Sequence, residues 1–309
     1  MVAILETRCK GAVAEKSIKQ SGFNFKMVVD AQGFSGGIWL LWKNPNLRVQ
    51  EISRHNQALH VQVLEEGKKW ELTIVYANPQ INLRREVQSY IKDLASSIQS
   101  PWLICGDFNE ISDPSEKKGG ALCDTNQIHR FKEWVDACNL IDLGYHGTRF
   151  TWRGPIWQNG DRIFKRLDRA YCNVEWNLTF HSAAVETLPR VKSDHHPILI
   201  RTFSTSNNPK IRPFRFEFMW MQHEDFNSFI RENWQSDSPL NLNIQSFVTK
   251  IKKWNQQVFG HIFQQKKQIL ARLRGIQNSP RYGKSDYLDN LEAELSEELE
   301  TILEKEHVF

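Results

Sequence analysis

From Met1 to about Phe203 the chain advances in short apolar runs of β type, each closed by turn-forming residues, so strands set its architecture. The runs are Ile38-Trp39-Leu40-Leu41-Trp42, Ala58-Leu59-His60-Val61-Gln62-Val63, Glu71-Leu72-Thr73-Ile74-Val75-Tyr76, Trp102-Leu103-Ile104-Cys105 and Ile198-Leu199-Ile200. Two amphipathic stretches interrupt them. Asn82 to Gln99 carries Leu83, Val87, Tyr90, Ile91, Leu94 and Ile98 on one helix face, and Thr125 to Ala137 carries Ile128, Phe131, Trp134 and Val135. Strands and helices mixed in this way predict a layered α/β or α+β domain.

The pattern changes after Phe203, where Ser204-Thr205-Ser206-Asn207-Asn208-Pro209 reads as a linker, so two regions are expected, 1–203 and 204–309. In the second, Pro213 to Phe218 alternates like a strand. Ile244 to Ile276 then keeps apolar residues in helical register, Asn278 to Gly283 breaks the chain, and Leu288, Leu291, Leu295, Leu299 and Ile302 form a second narrow stripe. This predicts an antiparallel helical hairpin, with a basic first arm (Lys250, Lys266, Arg272) facing an acidic second (Glu292, Glu297, Glu304). Its solvent face is a candidate surface for partner helices.

A net charge of +4 permits a nucleic-acid partner without arguing for one. The five cysteines are odd in number and widely spaced, so neither a zinc site nor a disulfide framework is predicted, and a reducing intracellular compartment fits. No apolar run reaches the roughly 18 residues of a membrane span. No membrane association is expected.

Four polar stretches carry the chemistry. Glu6 follows the run Ile4-Leu5. Gly106-Asp107-Phe108-Asn109 follows another, and Gly106 there permits a sharp turn while Asp107 and Asn109, two apart, face one site. Asp107 would accept a proton from water and the Asn109 amide would donate to a phosphate oxygen. Ser193-Asp194-His195-His196-Pro197 sets imidazoles beside a carboxylate at a strand entrance. Asp194 is a hard oxygen ligand suited to magnesium, and His195 needs a partner to fix its tautomer. Asp168, in Arg166-Leu167-Asp168-Arg169, is the candidate, although the alternating charge there also fits an exposed strand.

The order Glu6, Tyr76, Gly106-Asp107-Phe108-Asn109, Arg166-Leu167-Asp168 and Ser193-Asp194-His195 resembles the endonuclease/exonuclease/phosphatase superfamily, which includes DNase I and apurinic endonucleases. Gly36-Gly37-Ile38, Phe150-Thr151-Trp152 and Pro213 to Glu217 are similar to the endonuclease domain of plant LINE-type non-LTR retrotransposons. The resemblance implies a DNase I-like four-layer α/β sandwich over residues 1–203. It further implies a Mg2+-dependent (or Mn2+-dependent) hydrolase that nicks DNA in the nucleus, with Glu6 and Asp194 holding the metal. Asp107 would activate water or handle the leaving group, Asn109 would position the phosphate, Asp168 would orient His195, and the Tyr76 hydroxyl would stabilise the phosphorane. Asn78, Trp152 and Arg166 would touch the substrate. Family members begin with a strand carrying an Asn, and Glu6 matches the end of their second strand. The resemblance therefore implies that the first strand is lacking, with backbone groups left unpaired and activity reduced. The alternatives are a phosphoesterase of another substrate class and an inactive nucleic-acid-binding remnant.

Overall fold

The run Ile38–Trp42 is buried at every position because both faces of its strand are covered. Ile38, Leu40 and Trp42 join the main core, whereas Trp39 and Leu41 point the other way, onto Ala14 and Ile18 of a helix. The computed structural model describes residues 1–309 apart from 34, 158–159, 204–219, 222, 235–239, 259 and 309. The chain divides into two compact units, Met1–Ser204 and Thr205–Phe309.

In the first unit the elements run β1 (Val2–Leu5), α1 (Gly11–Gln20), β2 (Phe25–Val29), β3 (Ile38–Trp42), β4 (Arg48–His55) and β5 (Ala58–Glu65). There follow β6 (Lys68–Tyr76), α2 (Ile81–Ser97), β7 (Trp102–Asp107), β8 (Lys117–Lys118), α3 (Thr125–Ala137) and β9 (Ile141–Asp142). The unit closes with β10 (Trp152–Ile156), β11 (Arg162–Lys165), β12 (Asp168–Cys172), α4 (Val174–Thr179), β13 (Ala184–Thr187) and β14 (Ile198–Arg201). A six-stranded sheet has the order β4-β5-β6-β7-β12-β9; the smaller sheets are β1-β3-β2, β10-β11-β8 and β13-β14.

Alternation along the strands builds the layers. Leu59, Val61, Leu72, Ile74, Leu103 and Ala170 of the large sheet meet Ile38, Leu40, Trp42 and Val185 of the small ones in the main core. The opposite face presents Val75, Trp102, Ile104 and Tyr171 to Val87 and Ile91 of α2 and Phe131 of α3. With α1 outside β3, this is the four-layer order helix, sheet, sheet, helix of a DNase I-like sandwich. Among the described residues β1 pairs with β3 alone.

Three strand ends define one rim. β6 and β7 are parallel, with Tyr76 in register with Asp107, so both strands finish at the same side. β12 runs antiparallel to β7 and starts there, with Asp168 opposite Asp107. Gly106 does not make the sharp turn expected of it. It lies inside β7 at φ +139°, where an added Cβ would stand 2.0 Å from the Val75 carbonyl oxygen. Gly106→Ala is expected to cost about 3 kcal/mol through strain and overpacking. A shift of less than about 1 kcal/mol in urea unfolding would contradict this contact.

In the second unit α5 (Phe226–Asn233) and α6 (Leu240–Val258) share a core of Trp220, Phe226 and Ile251 with Phe229, Phe247 and Trp254. The helix expected from Ile244 to Ile276 is two helices, α6 and α7 (Gly260–Gln277). α7 and α8 (Asp286–Val308) form a hairpin that buries Ile269, Leu273 and Ile276 of one helix and Leu295, Leu299 and Ile302 of the other. Gln277 and Tyr282 both donate to the buried Glu292 carboxylate, which pins the turn. The linker expected at 204–209 and the strand expected at 213–218 lie outside the described residues. Among the described residues no helix is long and apolar enough to cross a membrane.

Candidate active site

Asp107 is 3 % exposed, yet its carboxylate serves two neighbours that fix it. Oδ1 accepts the Asn109 backbone N–H at 2.8 Å, an Asx turn that holds Asn109 at φ 50°. Asn109 Nδ2 donates to Asp107 Oδ2 at 2.9 Å and to the Ala77 carbonyl at 2.8 Å. Phe108, between them, is packed away against Phe131, Trp134 and Tyr171. Both amide hydrogens of Asn109 are therefore spent, and a flipped amide would set oxygen against oxygen. Asn109 orients Asp107; it does not hold out the free donor to phosphate that the sequence suggested.

Burial, the facing Asp168 and the nearby Glu6 raise the Asp107 carboxyl to about 7, against the opposing pull of His195 and Asn109. His195 responds in the other sense. Burial lowers its imidazole, but the hydrogen bond and charge of Asp168, with Asp107 and Asp194, outweigh that and raise it to about 9. His195 Nδ1 lies 2.8 Å from Asp168 Oδ2, leaving Nε2 directed toward Asp107 Oδ2 at 4.0 Å. At neutral pH an imidazolium thus sits beside a carboxylate poised to exchange a proton.

Glu6 follows β1 with φ 52°, about one-third exposed, and accepts the Arg8 guanidinium at 2.5 Å. Tyr76 is 4 % exposed, and burial together with the charges of Glu6 and Asp107 pushes its hydroxyl well above the usual tyrosine range. It stays a donor at any working pH. Asp194 is exposed and accepts the Trp152 indole N–H at 3.0 Å, while Lys165 Nζ stands over the Trp152 ring at 5.5 Å. The Arg8 guanidinium is raised by its hydrogen bond and charge pairing with Glu6, with smaller contributions from Tyr76 and Asp194. Glu6 and Asp194 are carboxylates that reach solvent, paired with Arg8 and with Trp152 respectively. Among the described residues no group of three His, Cys, Asp or Glu side chains stands ready to hold a metal ion.

One expected contact falls elsewhere. Arg166 is 6 % exposed and paired inward, to Glu116 at 3.0 Å and Asp142 at 2.9 Å, over the Tyr145 ring. A guanidinium so enclosed cannot meet a substrate phosphate, and the exposed-strand reading of Arg166 to Arg169 fails for the same reason. Asn78 Oδ1 accepts the Gln80 N–H at 2.8 Å, closing its own loop. That loop is clamped by the buried Arg84, which donates to the Asn78 and Pro79 carbonyls and to Glu110 at 2.7 Å. Arg8, Arg84 and Glu116 were not singled out by sequence, and Thr151 entered only as part of the Phe150-Thr151-Trp152 stretch, without a role of its own.

The two-sheet sandwich thus brings a buried acid, a half-buried imidazole and a buried tyrosine to one rim. The model of the Endonuclease/Exonuclease/phosphatase family matches residues 2–195. The chain belongs to that family. No curated protein matches it by sequence. Among solved structures it is similar to the endonuclease domain of TRAS1, a telomere-specific non-LTR retrotransposon, at 18 % identity and TM-score 0.49, covering 67 % of this chain and 100 % of that one. It is also similar to an AP endonuclease from Archaeoglobus fulgidus, at 14 % identity and TM-score 0.45, covering 64 % and 87 %. The D. rerio TDP2 complexed with single strand DNA product matches at 14 % identity and TM-score 0.40, covering 63 % and 83 %.

Proposed function

We propose that the first unit is a magnesium-dependent endonuclease that nicks DNA, of the kind found in LINE-type retroelements. The observation that carries this reading is the convergence of Asp107, Asp168 and His195 within hydrogen-bonding or ion-pair reach, beside Tyr76 and Glu6. The sequence likeness in Gly36-Gly37-Ile38 and Phe150-Thr151-Trp152 supports the retroelement assignment.

The donor set fits the cation. Two partly or fully exposed carboxylates, Glu6 and Asp194, suit an ion that keeps much of its hydration, which is the habit of Mg2+. When bound there, the cation would neutralise charge on the phosphoryl oxygens. The chain's own groups do the rest. A water oxygen attacks phosphorus in line and passes its proton to Asp107, whose raised pKa suits it as a base near neutrality. The P–O3′ bond breaks, leaving a 5′-phosphate, and the 3′-oxygen is protonated from solvent. His195 Nε2–H and the Tyr76 hydroxyl donate to the phosphoryl oxygens as charge builds.

Activity is expected to trace a bell in pH. It rises as Asp107 ionises around 7 and falls as His195 loses its proton around 9, the two values belonging to the coupled pair. A flat profile, or an optimum well on the acid side, would contradict the assigned roles.

Arg8 occupies Glu6 where a divalent ion would sit, so Arg8→Gln is expected to tighten Mn2+ binding about five-fold by removing a nearby like charge. Isothermal titration checks this, and weaker binding would argue against Glu6 as a ligand. The function itself is tested with supercoiled plasmid in Mg2+ and in EDTA, beside sphingomyelin and inositol-phosphate substrates. Magnesium-dependent open circles are expected. Salt-sensitive binding without nicking would select a binding remnant instead, and turnover of a non-nucleic-acid substrate another phosphoesterase.

A further inference from the structure

His195 and Asp168 meet in a 2.8 Å hydrogen bond, yet they arrive on separate segments, Asp168 at the first residue of β12 and His195 three residues before β14. Both segments are tied to Thr151, which is 2 % exposed. Its hydroxyl oxygen accepts the Leu167 N–H at 2.9 Å and the Asp168 N–H at 2.9 Å. Its carbonyl accepts the His196 N–H at 2.7 Å, and its own N–H donates to the Lys165 carbonyl at 2.9 Å. The grip continues on either side of these bonds. The next residue, Trp152, bridges His195, the Arg153 N–H donates to the Asp194 carbonyl at 2.8 Å, and the Leu167 carbonyl accepts the Phe108 N–H at 3.0 Å.

From this arrangement we propose that Thr151 is a positioning residue for the proposed hydrolysis, setting the His195–Asp168 pair through its hydroxyl and carbonyl; the proposal rests on the reading of the site given above. The physical case lies in the hydroxyl. Two consecutive buried amides at the start of β12 share one side-chain acceptor, so removing it leaves both donors unsatisfied. They can recover an acceptor only if the start of β12 shifts, and Asp168 shifts with it. The His196 bond is made by the Thr151 backbone and survives substitution, so the two halves of the pair are displaced relative to each other rather than together. Sub-ångström displacement of a catalytic hydrogen bond is costly to the chemical step while leaving substrate affinity largely alone.

The variants Thr151→Val, isosteric without the acceptor, and Thr151→Ser, which keeps it, test this in the full chain. One readout is plasmid nicking, with kcat and KM resolved. The other is the downfield Nδ1–H proton of His195 by NMR, a signature of the bond to Asp168 that needs neither metal nor substrate. Thr151→Val is expected to lower kcat about ten- to a hundred-fold at nearly constant KM and to lose or shift the His195 signal. Thr151→Ser is expected to keep both within about three-fold of the native chain. A folded Thr151→Val with native signal and native kcat overturns the proposal, as does a Thr151→Ser impaired as severely as Val. If the native chain does not nick, the functional reading fails and the NMR comparison alone still decides the role of Thr151. If Thr151→Val does not fold, Thr151→Cys, with its weaker acceptor, carries the same comparison.

Discussion

Asp107→Asn is expected to lower plasmid nicking by about 10²- to 10⁴-fold while leaving the fold as stable as before or more so. The loss follows from removing a base whose proton affinity is raised into the neutral range, the Asp107 carboxyl at about 7. The stability gain follows from the sign of that shift. A carboxyl held above its unfolded value of 3.8 disfavours the folded state increasingly as pH climbs from there to about 7, because the unfolded chain ionises first. Asn removes that penalty and the repulsion from Asp168 and Glu6, which offsets the one hydrogen bond lost where its Nδ2 faces the Asn109 amide, while its oxygen still accepts the Asn109 N–H. Urea unfolding at pH 8 beside nicking rates checks both halves. Residual activity within ten-fold of the native rate would remove Asp107 from the chemistry and expose any contaminating nuclease.

The largest stability effect is expected at Glu116. This carboxylate is 7 % exposed and meets two guanidinium groups, Arg166 at 3.0 Å and the fully buried Arg169, which also reach Asp142. Burial opposes its ionisation, but Arg169, Arg166 and the Ser112 N–H hold its carboxyl down at about 2. Glu116→Gln leaves two buried cations with one partly exposed acid and is expected to cost about 3–5 kcal/mol. Because the native pKa is depressed, the native protein's stability from this group is full above about 4.5 and is lost as pH falls toward 2. The variant should therefore be less stable at neutral pH and show a shallower acid transition. A change below about 1 kcal/mol would mean that the two arginines are satisfied without it. Since Arg166 and Arg169 flank Asp168, nicking should fall as well.

Periodicity read the framework correctly where burial is one- or two-sided and local. The stretch from Thr125 to Ala137 is a helix with those same ends, and the apolar run at Ile38–Trp42 is a strand. It failed where tertiary context overrides pattern. Arg166-Leu167-Asp168-Arg169 looks solvent-facing, yet Glu116, 50 residues away from Arg166, makes the charges internal. Gly106 looks like a turn residue, yet the need is for close approach to Val75 from the neighbouring strand. The candidate site was legible as a set of residue types, because acids, amide and imidazole at strand ends have few other uses. Their alignment was not, since it depends on the parallel register of β6 with β7 and on the Thr151 hydroxyl.

In the proposed function Glu6 and Asp194, far apart in the chain, share one divalent ion at the rim that carries Asp107 and His195. Anomalous diffraction from crystals of the protein grown with Mn2+ locates that ion directly. The expected result is one strong peak between the Glu6 and Asp194 carboxylates, lost in Glu6→Gln. A peak bound elsewhere, or one that survives that substitution unmoved, would contradict it.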